Sequence, residues 1–119
     1  MDLYQANILE HYKKPHRQGR LKKPSHQADH GNALCGDTVR FQLQVKNGKI
    51  LDVAWSGEGC VLSQASASIL ADEIVGKKVV QVKKIDNNKI IKLLKIEVGP
   101  NRINCATLAI DTIKQALVK

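Results

Sequence analysis

Three cysteines and one aspartate are the residues of this chain best suited to chemistry. Cys35 stands in Ala33-Leu34-Cys35-Gly36-Asp37, Cys60 in Gly57-Glu58-Gly59-Cys60 and Cys105 in Asn104-Cys105-Ala106. Converging, they would offer three soft thiolates and one hard carboxylate, enough donors for a tetrahedral metal shell. An odd number of cysteines excludes a fully paired disulfide framework. Glycine beside Cys35 and Cys60 points to turns rather than core positions. The plainer reading, in which cysteine packs as a small hydrophobe, is strongest for Cys105, which lies in helix-like sequence.

The elements that must position these residues follow from periodicity. Val39, Phe41, Leu43 and Val45 alternate with polar residues, Asn47-Gly48 is a hairpin turn signal, and Leu51, Val53 and Trp55 resume the alternation. Cys35 lies just before the first strand of this hairpin and Cys60 just after the second. In an antiparallel pair, the start of one strand lies beside the end of its partner. The fold therefore brings these two thiols together, and Gly36 leaves the backbone room to aim Cys35 and Asp37 at one point.

Helices are predicted around the hairpin. Residues 3–14 carry Tyr4, Ile8, Leu9 and Tyr12 on one stripe, with Asp2 as cap and Pro15 as stop. Residues 61–75 form a helix with Leu62, Ala65, Ile69 and Ile74 as core contacts and a small run, Ala65-Ser66-Ala67-Ser68, suited to close packing. Its N-terminus favours a thiolate at Cys60. Residues 79–85 fit either a strand or a short helix, 88–96 a helix capped from Asp86-Asn87-Asn88, and Val98-Gly99-Pro100-Asn101 a turn. The last helix runs from Ile103 or Asn104 to Val118 with Cys105 in its first turn, and residues 25–30 form a short edge strand. The expected architecture is α+β: a small antiparallel sheet of about three strands packed on one side by helices, as one domain over residues 1–119.

Composition excludes several classes. The chain has 119 residues and 43% hydrophobic content, ordinary for a folded domain. No stretch reaches the roughly 20 apolar residues of a membrane helix, and Met1-Asp2-Leu3-Tyr4-Gln5 lacks the marks of a signal peptide. A cytoplasmic protein is expected. Net charge is +8, with Lys13, Lys14, Arg17, Arg20, Lys22 and Lys23 clustered early. The segment carries no nucleic-acid motif, and 3% aromatic content leaves few stacking platforms. A solvated basic face, or one docking on an acidic protein, is the better reading. His11 is expected at a helix end where a cation is favoured, His16 and His26 in solvent, and Asp29 in a turn; His30 is a minor substitute for Asp37.

In their order along the chain, these segments resemble the U-type iron–sulfur cluster assembly family: the NifU N-terminal domain, IscU and SufU. Leu3-Tyr4 and His11-Tyr12-Lys13-Lys14-Pro15 through Gly19 resemble the family's opening helix and its exit. Asn32-Ala33-Leu34-Cys35-Gly36-Asp37 is similar to N-P-x-C-G-D, and Gly57 to Ser66 to G-x-G-C-x-x-S-x-A-S. Arg102-Ile103-Asn104-Cys105-Ala106-Thr107-Leu108 matches the third-cysteine segment. The resemblance implies a non-enzymatic scaffold or sulfur carrier. It would take persulfide sulfur from a cysteine desulfurase (SufS-like or IscS/NifS-like) and pass cargo to apo iron–sulfur proteins. Cys35, Asp37, Cys60 and Cys105 would hold Zn²⁺ or a nascent [2Fe–2S] cluster, the single carboxylate giving a shell weak enough to release it.

Two departures bear on mechanism. Asn104 stands where the IscU branch has a histidine, and Gly99-Pro100-Asn101-Arg102 replaces that branch's Leu-Pro-Pro-Val-Lys loop. Both features point to SufU, yet the 45-residue step from Cys60 to Cys105 is too short for the usual SufU insertion. A SufU-like route makes Cys35 the persulfide acceptor, freed when the desulfurase displaces a zinc ligand. An IscU-like route makes Cys105 the acceptor on a cluster-building site. The absent histidine favours the zinc-bound resting state, and Arg102 is read as supporting a persulfide, as meeting an acidic partner, or as a solvent-exposed surface residue. The rival classes are an inert structural zinc domain and a basic nucleic-acid-binding module. Glycine beside two ligands and a carboxylate in the shell argue against the first, and the missing recognition motif against the second.

Overall fold

A computed structural model describes residues 3–32, 36–94 and 103–118. Its elements run α1 (Leu3–Lys13), β1 (His26–Asn32), β2 (Asp37–Lys46), β3 (Lys49–Glu58), α2 (Val61–Ile74), α3 (Val79–Lys83), α4 (Asn87–Leu94) and α5 (Ile103–Ala116). The strands form one antiparallel sheet in the order β1-β2-β3. Helix α5 lies on β1 and β2, α2 on β3 and α5, and α1 on α2. The fold is α+β, as the pattern predicts. Asp2, Cys35 and the segment 95–102, which includes Arg102 and the expected turn at Val98–Asn101, lie outside the described residues.

The hairpin turns through Asn47 (φ 55°) and Gly48 (φ 75°), two positive φ values in the residues that a type I′ turn needs there. On β2, Val39, Phe41 and Leu43 are buried while Thr38 and Arg40 are exposed. On β3 the expected alternation breaks. Gln44 pairs with Asp52 but Val45 with Ile50, leaving Leu51 as the extra residue of a bulge. The bulge turns Ile50 into the core, fully buried, and puts Leu51 outside at 51% exposure. Leu51→Lys is therefore expected to change unfolding free energy by less than about 0.5 kcal/mol, whereas Ile50→Ala should cost about 2–5 kcal/mol. Chemical denaturation of both variants checks this, and a large loss in Leu51→Lys would refute the bulged register.

Helix α2 is more buried than an amphipathic pattern implies: Leu62 through Ala71 are all buried, Ser63, Gln64, Ser66 and Ser68 among them. Small side chains make this possible by letting α1, α5 and β3 approach from several directions. Ser66 Oγ donates to the Ala106 carbonyl at 2.7 Å, a buried bond latching α2 to the first turns of α5. The ambiguous segment after Gly76 is helical, as α3.

Several polar expectations change. Asp29 lies within β1, not in a turn, and Arg40 Nη2 reaches its Oδ2 at 3.4 Å. His26 meets the Ser25 hydroxyl. His11 lies in the last turn of α1, as expected, but its surroundings disfavour the cation. Its Nδ1 lies 2.7 Å from the buried Ser68 Oγ, and burial, then the neighbouring His16, lower its pKa against the opposing pull of Asp72 and Glu10. His16 is not simply solvated, because its Nδ1 pairs with Asp72 Oδ2.

Candidate metal centre

The alternation of β2, continued one step back from Val39, lands on Asp37. Its side chain therefore takes the core-facing side of the strand, where it is 1% exposed. A carboxylate in that position breaks the pattern of its own strand and must be compensated locally. Part of the compensation comes from α2. Cys60 is the N-cap residue, with extended backbone (φ −70°, ψ 165°). Its N–H donates to Asp37 Oδ1 at 2.9 Å, and its Sγ lies 3.5 Å from Asp37 Oδ2. The Cys60 carbonyl in turn accepts from the Ser63 hydroxyl and the Gln64 N–H, each at 3.1 Å. Among the described residues no cationic side chain pairs with Asp37.

Two glycines make this packing possible. A Cβ on Gly59 would lie 2.3 Å from Asp37 Oδ1 and 2.8 Å from Ser63 Oγ. A Cβ on Gly57 would lie 2.3 Å from the Thr38 carbonyl oxygen across the sheet. The Gly57-Glu58-Gly59-Cys60 sequence thus lets the end of β3 lie flat against the start of β2. Gly36, at φ 69°, supplies the positive-φ turn immediately before Asp37.

Cys105, 3% exposed in the first turn of α5, completes a trio. One ligand atom from each of Asp37, Cys60 and Cys105 lies within 4.8 Å of the others. A tetrahedral zinc shell sets thiolate and carboxylate donors about 3.5 Å apart and two thiolates about 3.8 Å apart. The Cys60–Asp37 separation already has that value, and the others need a contraction of at most about 1.3 Å. The residues thus fit a divalent, thiophilic metal, whose charge would offset that of a buried carboxylate and two thiolates.

Of the four nominated donors, the structure brings three together. Cys35 lies outside the described residues, as does Arg102, and nothing is described of the Asn104 side chain. His30 is exposed on β1 and does not belong to the trio. Sequence reasoning passed over Gln64, one helical turn beyond Cys60. Its Nε2 is buried and has no hydrogen-bond partner among the described residues. A lone glutamine in an otherwise small and apolar stretch, four residues after a cysteine, was the available signal.

The family model for the NifU-like N terminal domain matches residues 3–119, so the chain belongs to that family. An iron–sulfur cluster assembly enzyme, IscU of Drosophila melanogaster, is 35% identical over 119 residues, covering 97% of this chain and 76% of the fly protein. The zinc-dependent sulfurtransferase SufU of Bacillus subtilis is 31% identical over 134 aligned positions, covering 98% and 90%. Those 134 positions exceed this chain's 119 residues, so at least 15 have no counterpart here. A solved structure from Fervidobacterium islandicum, described as a candidate cluster assembly scaffold of the SUF system, superposes with TM-score 0.77 at 26% identity, covering 98% and 96%. No helix among the described residues is long and apolar enough to cross a membrane.

Proposed function

We propose that this protein is an iron–sulfur cluster assembly scaffold and sulfur acceptor that rests with zinc at Cys35, Asp37, Cys60 and Cys105. The observation carrying this reading is the convergence of Asp37, Cys60 and Cys105, with the carboxylate buried and uncompensated by any cation among the described residues. Zinc, when bound, would hold the cysteines as thiolates at neutral pH. A [2Fe–2S] cluster would be cargo on the same donors.

Cys35 is our preferred acceptor. Cys105, at 3% exposure, is poorly placed to meet an incoming persulfide, and Cys60 is tied to Asp37 and the start of α2. The Cys35 thiolate attacks the outer sulfur of a desulfurase persulfide. A new S–S bond forms at Cys35 as the old one breaks, the outer sulfur keeps its proton, and the desulfurase cysteine leaves as a thiolate. The role is that of a carrier. A cysteine desulfurase is the donor, apo iron–sulfur proteins are the recipients, and a reducing compartment such as the cytoplasm keeps the thiols free. Arg102 would support the persulfide.

The alternative acceptor, Cys105 on a cluster-building site, is favoured by the length of the frame. The fly IscU aligns over 119 positions, whereas the Bacillus SufU needs 134, although the IscU proteins of Streptococcus pyogenes and Thermotoga maritima need 132 and 133. Incubation with a cysteine desulfurase and cysteine, persulfide mapping by mass spectrometry and a zinc assay separate the two. Label on Cys35 with zinc release is the expected result. Label on Cys105, with cluster formation on added iron, selects the alternative. No label on any cysteine would end both and leave an inert zinc domain.

A further inference from the structure

Among the described residues, a second set of donors stands apart from the thiolates. His11 from the last turn of α1, His16 from the following loop and Asp72 from the last turn of α2 each offer one ligand atom, and these lie within 4.8 Å of one another. We propose that His11, His16 and Asp72 form a second binding site for a divalent transition-metal ion. It lies at the far end of α2 from Cys60, twelve residues or about 18 Å along the helix. It therefore belongs to no arrangement of the cysteine centre.

The trio is held in place by more than its own contacts. The two imidazole rings lie with centroids 4.4 Å apart at an interplanar angle of 46°. Ser68, fully buried on α2, serves both. Its Oγ meets His11 Nδ1 at 2.7 Å and accepts the His16 backbone N–H at 2.8 Å. The His16 carbonyl accepts the Trp55 indole N–H at 2.8 Å, so both backbone polar groups of His16 are fixed. Such outer partners orient metal-binding imidazoles and hold them ready. Arg17, at φ 60°, takes a backbone conformation that few side chains adopt. That turn lets His16 and Arg17 both reach Asp72, with Arg17 Nε 3.3 Å from Oδ1 and His16 Nδ1 against Oδ2.

The donor set states the class of ion. Two imidazole nitrogens and one carboxylate oxygen suit Zn²⁺, Fe²⁺, Co²⁺ or Ni²⁺ and are poor for Mg²⁺ or Ca²⁺, which prefer oxygen. Because Arg17 holds Oδ1, Asp72 binds through Oδ2 alone, and the ion takes the place of the proton between His16 and Asp72. His16 and Asp72 side chains are 44% and 40% exposed, so the ion exchanges with solvent and keeps water in its remaining positions. The competing role for these residues is a metal-free staple joining the loop to α2.

Titration of untagged full-length protein with Co²⁺ alone distinguishes the two. The expected result is two equivalents, one carrying the near-ultraviolet thiolate-to-cobalt band of the cysteine centre and one without it. His16→Ala and Asp72→Asn, each checked for folding by circular dichroism, should weaken the bandless equivalent at least tenfold and leave the other intact, while His26→Ala changes neither. Zn²⁺ should also move the ring resonances of His11 and His16. A bandless equivalent unaffected by His16→Ala and Asp72→Asn, or no such equivalent at all, would overturn the proposal. A variant-sensitive equivalent without any thiolate band would uphold it and count against the cysteine centre instead.

Discussion

Gly59→Ala is expected to lower zinc affinity at the cysteine centre by roughly 10–100-fold while leaving the fold in place. The added methyl would sit 2.3 Å from Asp37 Oδ1, 2.7 Å from its Cγ and 2.8 Å from Ser63 Oγ. All three atoms are in side chains, so the site relieves the clash by rotating Asp37 away from Cys60, and the positive φ of 154° at Gly59 adds backbone strain that an alanine must also bear. The Cys60 N–H then loses its acceptor, and the carboxylate no longer stands 3.5 Å from the thiol. Gly57→Ala is the informative comparison. Its methyl would meet the Thr38 backbone carbonyl at 2.3 Å, which no rotamer change relieves, so its damage falls on the β2–β3 ladder and on thermal stability. Chelator competition and thermal unfolding of both variants test the pair. Unchanged zinc affinity in Gly59→Ala would mean that Asp37 is not a ligand.

Much of this geometry was legible in the sequence, because it is made from local patterns. The hairpin follows from alternation and Asn47-Gly48, and the hairpin carries Asp37 to Cys60. The buried setting of Asp37 was legible too, since it continues the series of Leu43, Phe41 and Val39. Leu51 was misjudged because a bulge costs one residue of register and leaves no mark on an apolar alternation. The extent of burial along α2 was hidden for another reason. Alanine and serine give a weak periodic signal, yet they allow neighbours to approach closely. The histidines were the hardest. His16 meets Asp72 across 56 residues of chain, and in a run of lysine, arginine and proline it has the local character of solvated sequence. The packing of α1 on α2 and the anchoring of the following loop to Trp55 bring them together.

Trp55→Ala should cost about 3–5 kcal/mol of unfolding free energy, a large part of the roughly 5–15 kcal/mol that domains possess. Trp55 is 1% exposed, pairs with Phe41 across the sheet and is among the largest fully buried side chains. It also binds the loop after α1 at three points. The indole N–H donates to the His16 carbonyl at 2.8 Å, the Trp55 N–H donates to the Arg17 carbonyl at 3.1 Å, and the Trp55 carbonyl accepts the Gly19 N–H at 2.8 Å. Trp55→Phe separates packing from the side-chain bond. It keeps the backbone pairs and much of the ring volume, and should lose about 0.5–1.5 kcal/mol through the lost indole hydrogen bond to the His16 carbonyl. Urea unfolding measures both, with an unchanged slope showing that the native state stays compact. Equal losses in the two variants would place the energy in the indole hydrogen bond, and a loss under about 1 kcal/mol in Trp55→Ala would remove Trp55 from the core. The expected ordering, Ala well below Phe, has a local consequence. In Trp55→Phe the loop stays attached through Arg17 and Gly19 while His16 loses one of its two backbone anchors, so the fold survives and His16 is held less firmly against Asp72.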